Sequence, residues 1–170
     1  GPVKQLSRDH RIYVLDPQNP PAIVIDSGEE LIVETWDAFE GVRDPKLLEE
    51  SALRGPATGP IYVNGAEPGD ALRVDLVSIT PKDGAVHMVR PGRGFLEAEF
   101  TEPYPTILTF DHGDVVLPSG LRLPLAPSMG VVATTPEYRQ NTASDSGATG
   151  GSRCAAAQRR RSAGARCSHG

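Results

Sequence analysis

The stretch "GPATGPIYVNGAEPGDALRVDLVSI" runs from Gly55 to Ile79. Its first half shapes the backbone at almost every step. Pro56 and Pro60 lock φ, while Gly55 and Gly59 admit φ values closed to other residues. Asn64-Gly65 is one turn signal. Glu67-Pro68-Gly69-Asp70 is a second, with proline and glycine at the two central positions of a type II turn. The second half alternates. Leu72, Val74 and Leu76 share one face of a strand, and Arg73, Asp75, Val77 and Ile79 share the other. A shaped corner that feeds a half-buried strand accounts for all of this without chemistry, and it points to a β protein.

The rest of the chain repeats that logic on both sides. "RIYVLD", "AIVID" and "ELIVETW" precede the corner, with Leu31, Val33 and Thr35 on one face. "AVHMV", "GFLEAEF", "PTILTF", "DVVL", "LRLPL" and "GVVATT" follow it, separated by "KDG", "RPGRG", "DHGD", "LPSG" and "APS". One strand about every 8–12 residues is the pattern of an all-β sandwich or barrel. One short helix is expected in Asp44 to Arg54: Asp44 is a good N-cap, Pro45 suits the first helical position and Gly55 can end it. The 18 glycines and 16 prolines of the 170 residues agree with a turn-rich β chain. Residues 1–136 are expected to form the β domain, split near residue 55 into two β subdomains.

Residues 137–170 differ in kind. From Ser146 onward there are five arginines and no acid, and no large apolar residue. Such a segment cannot supply a core, and a disordered basic tail is expected. It reads as a solvated linker, as an arm for an acidic partner, or as text that has left its reading frame. The net charge of −5 weighs against nucleic acid as a partner of the whole chain. No 18-residue apolar run and no leader-like start are present, so neither a membrane nor secretion is expected. The two cysteines, Cys154 and Cys167, lie only in the tail. A cytoplasmic setting without a disulfide framework is the expectation.

Chemistry-bearing residues gather in "VETWDAFEGVRD", Val33 to Asp44. Glu34, Asp37, Glu40 and Asp44 stand where a strand runs out, and acids placed so can orient water, exchange protons or bind a metal. Glu40 and Asp44 read more simply as loop charge and helix cap. Asp37 lies between Trp36 and Ala38-Phe39, and apolar walls raise a carboxyl pKa. His10, just before a strand, is the histidine best placed to join it. His87, His112 and His169 have no ligand-like spacing. No nucleophile elbow and no phosphate loop are present.

Taken in order, "HRIYVLDPQNPPAIVIDSGEELIVETWDAFEG", "GPATGPIYVNGAEPGDALRVDLVSI", "PGRGFL" and "LPLAPSMGVVATTP" resemble the acetamidase/formamidase family. The likeness covers about Leu6 to Pro136, and "ATGPIYVNGAEPGD" is its most specific segment. It implies hydrolysis of formamide, acetamide and similar short amides to a carboxylate and ammonia. It implies Glu34, Asp37 and His10 as catalytic candidates. Thr58, Gly59 and Tyr62 become substrate-binding candidates, through main-chain groups of "TGPIYV" offered to an amide. A divalent metal is compatible with the reaction, and a homo-oligomer is expected. Where the family continues with "GPHGGNMD"-like text, Gly147 to Arg153 reads "GATGGSR", with Thr149 and Ser152 at the histidine and asparagine positions. A frame change near Ser152 accounts for this. The chain is then expected to be truncated, weakly active or inactive, and prone to associate. The rival reading is a non-catalytic β-sandwich binding module with a basic tail.

Overall fold

The computed structural model describes residues 2–50, 55–82, 84–92, 94–136, 140–141, 152–156 and 163–168. It is all-β apart from one short helix. Before the helix come β1 (Lys4–Leu6), β2 (Arg11–Ile12), β3 (Val14–Leu15), β4 (Ile23–Ile25) and β5 (Glu30–Val33). The helix α1 (Pro45–Glu50) is followed by β6 (Ala57–Thr58), β7 (Ile61–Val63) and β8 (Leu72–Leu76). Then come β9 (Ala85–Val89), β10 (Tyr104–Asp111), β11 (Asp114–Val116), β12 (Arg122–Pro124) and β13 (Met129–Thr134). The last three strands are β14 (Gln140–Asn141), β15 (Ser152–Ala156) and β16 (Ala163–Ser168).

The chain divides into two compact units. One comprises residues 1–40, 54–80 and 127–170; the other comprises 41–53 and 81–126. Each unit is discontinuous in the sequence.

The first unit is built largely from parallel neighbours. One sheet has the order β1-β5-β16-β8, and β1 pairs β5 in parallel with Leu6 opposite Val33. A second has the order β13-β15-β6-β2, and β4 pairs β7 in parallel with Ile23 opposite Ile61. Leu6, Ile25, Leu31, Val33, Ile61, Val63 and Ala66 form the main core. The expected face of β5 is the buried one, because Leu31 and Val33 alternate with the half-buried Ile32. A smaller cluster joins Leu15 and Ala57 with Ile12 and Ala133.

The corner between β7 and β8 folds as its residues require. Gly69 sits at φ +106°, and the Asp70 N–H donates to the Glu67 carbonyl at 3.3 Å, closing the "EPGD" turn. The Ala66 N–H closes the Asn64-Gly65 turn onto the Val63 carbonyl at 3.2 Å. The Asn64 side-chain amide donates to Asp26 Oδ1 at 2.7 Å and ties the turn to the end of β4.

The second unit holds the antiparallel meander β12-β11-β10-β9 and α1. Asp44 caps the helix as expected: its Oδ1 accepts the Lys46 N–H at 2.9 Å. His112 and Gly113 both have positive φ in the two-residue turn between β10 and β11. Arg122 bridges Asp111 and Asp114 at that turn, at 2.8 and 3.0 Å.

One expectation is corrected. "GFLEAEF" is not a strand but a run of turns, with the Glu99 N–H on the Leu96 carbonyl at 3.0 Å. Its alternation misleads because no strand among the described residues pairs with it, and Phe95 stands fully exposed. Short segments of residues 137–170 are described. β15 runs parallel to β13 and β6, and β16 runs parallel to β5 and β8. Backbone hydrogen bonding supplies this pairing without large side chains, which composition alone does not register. The remainder of the tail, with Thr149 and His169, lies outside the described residues.

Candidate functional site

The acids of "VETWDAFEG" leave the end of β5 and meet the turn that joins β1 to β2. That turn, Ser7 to His10, is closed by the His10 N–H on the Ser7 carbonyl at 3.2 Å. The Glu34 N–H donates to the Leu6 carbonyl at 2.9 Å and continues the β1–β5 pairing by one step. The Glu34 carboxylate Oε2 then lies 3.4 Å from the Arg8 N–H. The quoted stretch reaches the same place through β6. Thr58 pairs with Arg11 across the antiparallel β2–β6 ladder. The Gly59 N–H donates to the His10 carbonyl at 2.9 Å. The Thr58 hydroxyl, 1% exposed, donates to the Glu34 carbonyl at 2.8 Å. Four of the six residues singled out from sequence therefore converge: Glu34, His10, Thr58 and Gly59.

The way they converge was not legible in the sequence. Thr58 and Gly59 use their donors on the protein itself, and Pro60 has no N–H to offer. The Pro60 carbonyl accepts the Ala22 N–H at 2.8 Å. This segment holds Glu34 and His10 in register through these bonds. Tyr62 belongs to another sheet, where it pairs with Val24 on β7 and is half-buried. Asp37 lies in the loop after β5. Its Oδ1 accepts the Phe39 N–H at 2.8 Å, and its carbonyl accepts the Glu40 N–H at 3.0 Å. Ala38 and Phe39 beside it are buried.

Five further residues complete the neighbourhood. The Arg8 guanidinium lies over the Trp36 ring, 3.9 Å from its centroid, and that of Arg11 lies 5.8 Å away. The Trp36 indole N–H donates to the Arg8 carbonyl at 3.1 Å. Glu40, read from sequence as loop charge, is instead held between two partners. The Tyr13 hydroxyl donates to its Oε1, and Arg11 Nε lies 3.7 Å from the same atom. Glu40 also carries φ +53°, an uncommon conformation for a residue with a side chain. Twenty-seven residues separate Tyr13 from Glu40, so no local sequence signal points to their contact.

The arrangement offers exposed proton-exchanging groups, Glu34 and His10, on a backbone fixed by buried hydrogen bonds. Among the described residues no group of three or more His, Cys, Asp or Glu side chains is placed to hold a metal.

The model of the Acetamidase/Formamidase family matches residues 5–149. The chain belongs to the acetamidase/formamidase family. The expected span of likeness, Leu6 to Pro136, lies inside the match, and the match ends before β15 and β16. Within this family of amide hydrolases, the formamidase of Methylophilus methylotrophus is 33% identical over 113 residues, covering 57% of this chain and 26% of that protein. The crystal structure of the Bacillus halodurans acetamidase superposes with a TM-score of 0.70 at 33% identity, over 81% of this chain and 48% of that one. A gamma lactamase from Delftia acidovorans superposes with a TM-score of 0.61 at 26% identity, over 68% of this chain and 32% of that one. The chain thus spans half or less of the length of each of these proteins.

Proposed function

We propose that this chain carries part of the site of an amidohydrolase that cleaves short aliphatic amides, formamide and acetamide, to the carboxylate and ammonia. The observation that carries the reading is the convergence of Glu34 and His10 on Thr58-Gly59, inside the matched span of an amidase family. Hydrolysis of an amide needs an activated water, a stabilised oxyanion and a proton for the leaving nitrogen. Glu34 takes the proton of the attacking water, because its carboxylate stands exposed at the edge of the β1–β2 turn. His10, exposed on the same turn, returns a proton to the departing amine. Thr58 and Gly59 act as positioning residues that fix the two backbones. Asp37 shapes the loop through the Phe39 N–H, and the Trp36 indole N–H on the Arg8 carbonyl keeps that ring beside this turn. No helix among the described residues is long and apolar enough to cross a membrane. The setting proposed is the cytoplasm, with the chain as a homo-oligomer that binds neither nucleic acid nor membrane.

The chain's own turnover is proposed to be weak, because the oxyanion donors are not among the groups that converge here. Two measurements test the reading. Ammonium release from formamide and acetamide is followed for the chain alone. It is then followed for a chimera that continues residues 1–149 with the remainder of the Bacillus halodurans acetamidase. Activity in the chimera that is lost with Glu34→Gln supports the reading. A folded chimera that releases no ammonium, or one indifferent to Glu34→Gln, refutes it.

A further inference from the structure

We propose that Arg8, stacked on Trp36 and flanked by Arg11, is a binding site for a small carboxylate. The inference rests on the amidase reading only in that a carboxylate is the product class of that reaction. The geometry stands by itself. Arg8 occupies the tip of a turn whose ends are joined by the His10 N–H and the Ser7 carbonyl. Its backbone is held on both sides, by the Glu34 carboxylate at its N–H and by the Trp36 indole at its carbonyl. Its guanidinium rests on the indole face at 3.9 Å. Among the described residues that guanidinium has no hydrogen-bond or ion-pair partner. Arg11, by contrast, faces Glu40. A planar fork of N–H donors is thus held in place on a ring with its edge open to solvent. That is the arrangement a carboxylate meets with two parallel hydrogen bonds.

The surrounding charges select the class of anion. Glu34 touches the Arg8 backbone and Glu40 sits beside Arg11. Asp9 is occupied by the Ser7 hydroxyl at 3.1 Å. A doubly charged anion adds two negative charges to a neighbourhood that already holds these carboxylates, whereas a planar monoanion satisfies one guanidinium and adds a single charge. The site therefore fits formate or acetate and not sulfate or phosphate. Its place beside Glu34 and His10 makes it a station for the acid released by the reaction, and a point at which that acid inhibits it.

Trp36 is the single tryptophan of the chain, so its emission reports on this stack alone. The experiment titrates the purified chain with sodium acetate, and separately with sodium chloride, sodium sulfate and acetamide, all at matched ionic strength. A saturable change in Trp36 emission with acetate only is the expected result. Arg8→Gln should weaken that response about tenfold or more, since it removes the charged fork and both of its hydrogen bonds. Arg8→Lys, with equal charge and no planar fork, should weaken it as well. No saturable acetate response, an equal response to sulfate or chloride, or unchanged binding in a folded Arg8→Gln chain would overturn the proposal. If Arg8→Gln does not fold, the wild-type comparison of acetate with chloride and sulfate decides alone. The two readings fail separately. A chimera that releases ammonium while acetate leaves Trp36 unchanged sinks the carboxylate site. A chimera that binds acetate and releases none sinks the amidase reading.

Discussion

Thr58→Val removes one atom's worth of chemistry from the junction on which the candidate site depends. The side chain is 1% exposed, and its hydroxyl donates to the Glu34 carbonyl at 2.8 Å. Valine keeps the volume and loses the donor. A neutral hydrogen bond contributes about 1 kcal/mol net, and a buried acceptor left bare raises the cost to about 1–3 kcal/mol. A chain of this length loses about 2–4 °C in melting temperature per kcal/mol. Thr58→Ser is the companion variant: it keeps the hydroxyl and loses one methyl, worth about 0.8 kcal/mol of transfer free energy. Thermal unfolding followed by far-UV circular dichroism compares the three chains. Valine should be the more damaging change, and in the acetamidase chimera it should lower ammonium release beyond what the lost stability explains, because Glu34 loses its anchor. The reasoning fails if valine melts with the wild type while serine falls several degrees. The methyl, and not the hydroxyl, would then hold the junction.

Two further outcomes follow from single positions. Gly84 has φ +84°, and a Cβ built there would lie 2.2 Å from the Leu108 carbonyl oxygen. Gly84→Ala must therefore part β9 from β10, at a cost above the roughly 1–2 kcal/mol of the left-handed backbone itself; faster proton exchange of the Val86 to Met88 amides would show it, and unchanged exchange would contradict it. Glu29 has its carboxyl held below the usual carboxylate range, first by the Asp26 N–H and then by the Lys4 ammonium. A lowered folded-state pKa gives stability that is complete above the ordinary carboxylate value and fades as pH falls through and below it. Urea midpoints of wild type and Glu29→Gln should differ near neutrality and draw together as pH falls below the ordinary carboxylate value; a gap that widens in acid would reverse the sign and the explanation.

Local preferences were strong enough to be read without a structure. The "EPGD" and Asn64-Gly65 turns, the Asp44 cap and the inward face of Leu31 and Val33 depend on residues within a few positions of one another. Steric limits on φ and the two-residue period of a strand act at that range. The family likeness carried by "ATGPIYVNGAEPGD" is of the same local kind. Partner choice is not. Nothing in "KQL" announces a parallel pairing with "LIV", and nothing in the arginine-rich tail announces β15 and β16. "GFLEAEF" shows the converse, since an alternating pattern makes no strand where no neighbour completes its hydrogen bonds.

The candidate site divides in the same way. Sequence alone determined that an all-β chain places Glu34, Asp37 and His10 near strand ends, and which family it belongs to. Only the tertiary structure decided that Thr58 and Gly59 hold Glu34 and His10, that Glu40 meets Tyr13, and that Arg8 lies on Trp36. These contacts span 24 to 28 residues or more along the chain. Their formation requires closing long loops, and what repays that closure is the burial of Leu6, Leu31 and Val33 around them, a sum over the whole unit that no short stretch contains.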